Sequence, residues 1–216
     1  MEVKVEQRSK EWHRLRLAKV GGSEAIGITT PARMKTLVNV KLAEYFTNKT
    51  EDVFVNDAMQ HGIDTEPIVA DLYEAKKFVT TREIGFVYNE YYMCAGLSPD
   101  RLIGDVGALE IKCPKAKTYI SYVVGAYGKN GLDRIPTEHR PQITWYFMIM
   151  PKLEYLDYVV YNEDVTSYPM HITRVTAKDM SVSVSKMIAN YENYEKAYLL
   201  AKNNFESIKT INTGKI

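Results

Sequence analysis

The sequence predicts a single α/β domain over residues 1–216, on three observations. Apolar residues recur at helical spacing through the first part of the chain. Between residues 84 and 113 the period shortens to that of strands, and from there to the C-terminal end the two periods alternate. The length suits one domain with a substantial core, and 45% hydrophobic with 25% charged residues is ordinary for a globular chain. No internal repeat, low-complexity tract or linker interrupts it.

Residues 9–20 read as a helix with Trp12 and Leu15 along one side, Trp12 being a core residue on this reading. Gly21 and Gly22 end it, and Ser23 is the expected N-cap of a short helix through Ile26. Residues 34–47 place Leu37, Val38, Lys41, Leu42 and Tyr45 at roughly helical spacing. A further helix is expected from about 56 to 78, with Pro67 bending it or dividing it in two. Residues 84–90 and 92–98 read as paired strands and 107–113 as a third, after turn-forming Gly104, Asp105 and Gly107. Helices at 118–127 and 139–150 flank a polar loop holding Gly125, Gly128, Gly131 and Pro136, either a substrate clamp or a surface excursion. Strands at 155–162 and 168–174 precede an amphipathic helix over 178–205, and the last ten residues are expected to fray.

Chemistry concentrates between Ser98 and Pro114. A strand alternates its faces, so Leu109, Ile111 and Cys113 point to one side and read as core, while Glu110 and Lys112 share the other. A carboxylate and an ammonium on an otherwise apolar strand are costly to desolvate without compensation. One explanation is a structural Glu–Lys or Asp–Lys pair. The other is a hard divalent cation, which takes carboxylates, carbonyls and phosphate oxygens. Asp100, Glu110 and the Ile111 carbonyl would then be ligands, and Lys112, its pKa lowered by desolvation and the neighbouring cation, would orient or deprotonate a water.

Pro99-Asp100, nine intervening residues and Glu110-Ile111-Lys112 match the PD-(D/E)xK nuclease signature. Around it, in order, stand Trp12-His13-Arg14-Leu15-Arg16-Leu17, Gly22-Ser23-Glu24, His61-Gly62, Glu66, Ser98-Pro99-Asp100, Leu109 to Pro114 and Gln142. This succession resembles the lambda exonuclease and YqaJ-type viral recombinase family over residues 12–150. The resemblance implies a restriction-endonuclease-like core, a central mixed β-sheet flanked by helices. It implies a Mg²⁺-dependent deoxyribonuclease, with Mn²⁺ a possible substitute, that degrades duplex DNA from a free 5′ end and leaves a 3′ single strand. On that footing Glu66 becomes a third acidic metal ligand, although alone it would read as an ordinary helical glutamate. Gln142, with Tyr146 one helical turn on, becomes the Gln-x-x-x-Tyr element, and Arg16 and Ser23 become 5′-phosphate ligands. A homotrimeric ring, a single-strand-annealing recombination partner and the cytoplasm of a bacterial host are further implications. His61 reads as structural. Two alternatives stay open: an endonuclease on the same fold, and a non-catalytic DNA-binding recombination subunit.

The bulk composition excludes little else. A net charge of +1 argues neither for nor against nucleic acid, though Lys10, Arg14, Arg16 and Lys19 cluster, as do Arg134, His139 and Arg140. No apolar run approaches a membrane span, and Met1-Glu2-Val3-Lys4 lacks the apolar core of a signal peptide. Cys94 and Cys113 are the only cysteines, too few for a four-cysteine cluster, and read as reduced thiols.

Overall fold

The structure is a computed structural model, and the described residues are 1–50 and 56–213. The chain opens with β1 (Glu2–Val3) and α1 (Lys10–Arg16), whose first turn is closed by the Ser9 hydroxyl accepting from the Trp12 N–H. A 3₁₀ segment, Gly22–Ile28, leads to α2 (Pro31–Thr47), capped by Thr30 and started by proline at its first position. Next come α3 (Asp57–Lys77), capped by the Asn56 side chain, then β2 (Thr81–Arg82), β3 (Phe86–Val87), β4 (Arg101–Ile103) and β5 (Gly107–Lys112). The chain ends with α4 (Ala116–Ala126), a 3₁₀ turn at Gly131–Arg134, α5 (Arg140–Ile149), β6 (Tyr155–Tyr161), β7 (Met170–Thr176) and α6 (Ala177–Thr213).

The main sheet has the order β2-β4-β5-β6-β7, with β5 and β6 parallel and the other neighbours antiparallel. The parallel pair is joined through α4 and α5, the crossover a parallel connection requires. One face of the sheet, through Leu109, Ile111 and Val159, packs on Val69, Ala70 and Tyr73 of α3. The opposite face, through Ala108, Leu156, Tyr158 and Val160, packs on Ile143, Trp145 and Tyr146 of α5 and on Tyr191 and Tyr194 of α6. Each such large apolar side chain contributes about 1.5–3 kcal/mol by leaving water. The expected mixed sheet flanked by helices is therefore present, with Leu109 and Ile111 in the core and Cys113 packed at its margin.

Several boundaries differ from the sequence reading. Residues 84–98 do not form a hairpin: Phe86–Val87 pairs with Glu2–Val3, and Leu97 reaches Val87 only through an isolated bridge. The partner of β5 is β4, which begins just after Asp100. Period alone cannot choose among competing partners, and the charged ends Arg82 and Glu2, joined by two 2.7 Å hydrogen bonds, help to recruit β1. Ser23 is not a helix cap but the second residue of the 3₁₀ segment, whose preceding residue is Gly21. Helix α3 runs through Pro67 as one element. The loop after α4 is fastened by buried Ile135 and by Arg140, which bonds Asp133 and the Ile135 carbonyl. Helix α6 continues to Thr213, past the expected end at 205, and residues 214–216 lie outside the described residues.

Asp157 on β6 is completely buried and accepts from the Tyr73 hydroxyl at 2.6 Å and from Arg174 at 2.7 and 2.8 Å. Removing it strands the Tyr73 hydroxyl between α3 and the sheet. We expect Asp157→Ala to lower unfolding stability by about 2 kcal/mol in urea titration, the usual cost of an orphaned buried polar group. The partly exposed Arg174 should add little.

Candidate active site

Strand pairing brings the acidic residues together. Arg101 lies opposite Leu109, so one step earlier Asp100 comes alongside Glu110, at the end of β5 where the flanking helices leave a cleft. Asp100 Oδ2 accepts the Ile111 N–H at 2.6 Å. Glu110 is 1% exposed, yet its carboxylate is well supplied with donors. Lys112 Nζ stands 2.5 Å and Gln142 Nε2 2.6 Å from its Oε1, and the Tyr146 hydroxyl donates to Oε2. Gln142 and Tyr146 come from the same face of α5. The two ends of the Gln-x-x-x-Tyr element thus meet one carboxylate.

Glu66 reaches the cleft from α3 and pairs with Arg101 at 3.4 Å, while Arg101 also bonds the Asp100 carbonyl at 2.8 Å and Glu83 at 2.9 Å. Burial raises the pKa of Asp100 well above the usual carboxylate range, and the charges of Glu110 and Glu66 push it further. Burial likewise raises that of Glu66, opposed by Arg101. The groups around Lys112 act on it in opposite senses. Desolvation pulls its pKa down, but the Glu110 and Asp100 charges outweigh that and the net shift is upward. The expected lowering relied on a neighbouring cation, and the protein's own groups around Lys112 are anionic.

A cleft of about 680 Å³ is lined by all eight residues the sequence singled out: Arg16, Ser23, Glu66, Asp100, Glu110, Ile111, Lys112 and Gln142. The donors suit a hard divalent ion, and the mutual repulsion expressed in Asp100 is what such an ion would relieve. As arranged, no three His, Cys, Asp or Glu side chains among the described residues already converge as ligands. Glu66 is turned to Arg101, and Glu110 is occupied by its three donors.

At the other side of the cleft, the Arg16 guanidinium lies 4.3 Å from the centroid of the Trp12 ring. Trp12 is half-buried, and its indole N–H is shared between Ser98 Oγ at 2.9 Å and the Gly85 carbonyl at 3.0 Å. It is therefore a wall of the cleft and a support for Arg16, which corrects its reading as core. Burial lowers the Arg16 pKa, with Glu24 and Glu44 opposing, and a guanidinium stays charged regardless. The segment between Arg16 and Ser23 is fixed from below by buried Lys41, 2.8 Å from Glu24 and 2.9 Å from Glu44. Those carboxylates in turn accept the Gly21 and Ala18 N–H groups. His139, whose Nδ1 stands 2.5 Å from the buried Tyr158 hydroxyl, and Tyr122 also line the cleft. Sequence reading gave Arg101 and Tyr122 no role and placed His139 only in a basic cluster. Arg101 directly follows Asp100, which was the available signal. His61 lies outside this set, 3.4 Å from Glu163. Cys94 and Cys113 are free thiols, and burial raises the latter to about 12.

Comparison with known proteins identifies the family and the fold. The YqaJ-like viral recombinase domain family matches residues 11–151. Among solved structures, an alkaline exonuclease (LHK-Exo) from Laribacter hongkongensis superposes with a TM-score of 0.76 at 24% identity, over 93% of this chain and 100% of that one. The same exonuclease in complex with dAMP gives the same values. A phage-related exonuclease from Haemophilus somnus 129PT gives a TM-score of 0.54 at 10% identity, over 85% of this chain and 96% of that one. At these identities the likeness is one of fold. No curated protein sequence matches the chain.

Proposed function

This chain belongs to the YqaJ-like viral recombinase domain family, and from that premise we propose that it is a Mg²⁺-dependent deoxyribonuclease that digests duplex DNA from a free 5′ end. The observation carrying the reading is the gathering of Asp100, Glu110, Lys112, Glu66 and Gln142 in one cleft, with Arg16 and Ser23 on its wall. Glu66, Asp100, Glu110 and the Ile111 carbonyl would hold the cation, Mn²⁺ serving in place of Mg²⁺. When bound, it supplies Lewis-acid stabilisation of the phosphodiester and lowers the pKa of water.

The chain's own groups do the rest. Lys112, 2.5 Å from Glu110 Oε1, orients or deprotonates the attacking water at the scissile phosphate. Gln142 and Tyr146 hold the Glu110 carboxylate in one orientation. The Arg16 guanidinium, backed by Trp12 and with no hydrogen bond of its own among the described residues, is available for bidentate contact with a terminal 5′-phosphate, and Ser23 adds a hydroxyl. This anchor sets the polarity, leaving a 3′ single strand that a single-strand-annealing protein could receive in phage-type recombination. A homotrimeric ring would keep the enzyme on its product strand. No helix among the described residues is long and apolar enough to cross a membrane.

Digestion of duplexes labelled at either end, with and without a 5′-phosphate, tests the proposal. Loss of the 5′ label first, and faster from phosphorylated ends, is expected. Arg16→Ala should erase the preference for phosphate, by about tenfold in kcat/KM, while sparing cleavage of 5′-hydroxyl ends. Rapid loss of covalently closed circles would instead favour an endonuclease. A protein that binds DNA but cleaves nothing with Mg²⁺ or Mn²⁺ would favour a binding subunit.

A further inference from the structure

Beyond Glu66 the cleft opens into a second lobe of about 440 Å³, and the two share Gln7, Arg8, Ile63 and Glu66. Arg8 stands at their junction in a left-handed backbone conformation, φ 68°, which a long side chain adopts at a cost of about 1–2 kcal/mol. Gln7 holds it there. Its side-chain amide donates to the Ile84 carbonyl at 3.1 Å and to the Pro99 carbonyl at 2.9 Å, one residue from Asp100. The Ser9 N–H bonds the Glu6 carbonyl to close the turn. A strained residue whose neighbour is tied to the segment leading into Asp100 is an arrangement by which functional side chains are presented.

The charges of this lobe define what it takes. Arg101 pairs with Glu66 and Glu83. That leaves Lys4 and Arg8 as cations that form no ion pair among the described residues, although the Arg8 charge bears on Glu66 from a distance, against one unpaired carboxylate, Glu6. Neither the cation site nor the Arg16 anchor uses Arg8. Resting on the nuclease reading above, we propose that Arg8 grips an internucleotide phosphate of the substrate, distinct from the scissile and terminal phosphates. The second lobe thus continues the DNA path past Glu66. Arg8 is a positioning residue in this scheme: it sets the angle at which DNA enters and touches no reacting atom.

The test measures binding of 5′-phosphorylated duplex in EDTA, so that no cleavage intervenes, from about 50 to about 200 mM salt. Arg8→Asn removes the charge while keeping a residue that tolerates positive φ, so its Tm should equal or exceed that of wild type. Affinity should fall about tenfold, and the slope of log K against log salt should shrink by about 0.9, the loss of one phosphate contact. Arg8→Lys should restore most of both. Duplexes with single methylphosphonates in either strand then locate the contact, because neutralising that phosphate abolishes the difference between variant and wild type. An Arg8→Asn protein with wild-type affinity and slope overturns the inference while wild-type digestion leaves the nuclease reading intact. Weaker binding with an unchanged slope and no rescue by lysine also overturns it, as an effect of shape rather than charge. A wild type that neither binds nor digests duplex overturns the nuclease reading itself.

Discussion

Lys112→Ala should lower single-turnover cleavage of a 5′-phosphorylated duplex by about 10²- to 10⁴-fold, the range for removing a positioned proton-donating or proton-accepting group. DNA binding in EDTA should change far less, because Arg16, Arg8 and the remaining cleft stay in place. The metal-free fold should lose some stability, because buried Glu110 loses its ammonium partner. It keeps Gln142 and Tyr146 as donors, so the variant should still fold. Lys112→Arg would not restore activity, since a planar guanidinium cannot take the place of a compact ammonium 2.5 Å from Glu110. Acid-soluble nucleotide release, with binding and melting curves run in parallel, distinguishes this pattern from general misfolding. Cleavage by the alanine variant within a few-fold of wild type would remove Lys112 from the chemistry.

How much of this site can be read from sequence depends on the range of the interaction. The alternation of Leu109, Glu110, Ile111 and Lys112 is a local property of an extended chain, and the structure keeps it: Leu109 and Ile111 face α3, while Glu110 faces α5. The four-residue spacing of Gln142 and Tyr146 is equally local, and both meet Glu110. Strand pairing is not local. Residues 84–98 carry strand-like composition but find their partner at the N-terminus, and β4 is only three residues long, too short for its period to register. Charge balance is less legible still. Lys41 reads as one more residue at helical spacing, whereas it is a buried cation between Glu24 and Glu44 that fixes the backbone beneath Arg16 and Ser23. The direction of the Lys112 shift depends on how many carboxylates the fold brings beside it, which no spacing rule counts.

Asp100→Asn should abolish cleavage and at the same time stabilise the metal-free protein at neutral pH. Burial, with the charges of Glu110 and Glu66, raises the Asp100 pKa well above its ordinary value, whereas in the unfolded chain it returns to about 3.9. Between those two values the folded state holds a proton that the unfolded state has released. Stability from this group therefore falls as pH rises through that window, and above the folded pKa the full cost of an ionised Asp100 is present. Glu66 is shifted in the same direction, by burial against the opposing Arg101 charge, and adds to the decline. Asparagine has no charge to desolvate, and its Oδ1 can still accept the Ile111 N–H that Asp100 now receives. A gain of about 1 kcal/mol, or about 2–4 °C in Tm for a domain of this size, is expected at pH 7 in EDTA. The gain should shrink as pH falls towards about 3.9 and vanish only below that, where Asp100 is protonated in both states. Adding Mg²⁺ should raise the Tm of the wild type and leave that of Asp100→Asn nearly unchanged, because the variant lacks the carboxylate whose repulsion the cation relieves. An asparagine variant less stable than wild type at pH 7 in EDTA would show that Asp100 is held by more than the present geometry supplies. A variant that matched wild type in its response to Mg²⁺ would remove Asp100 from the cation site.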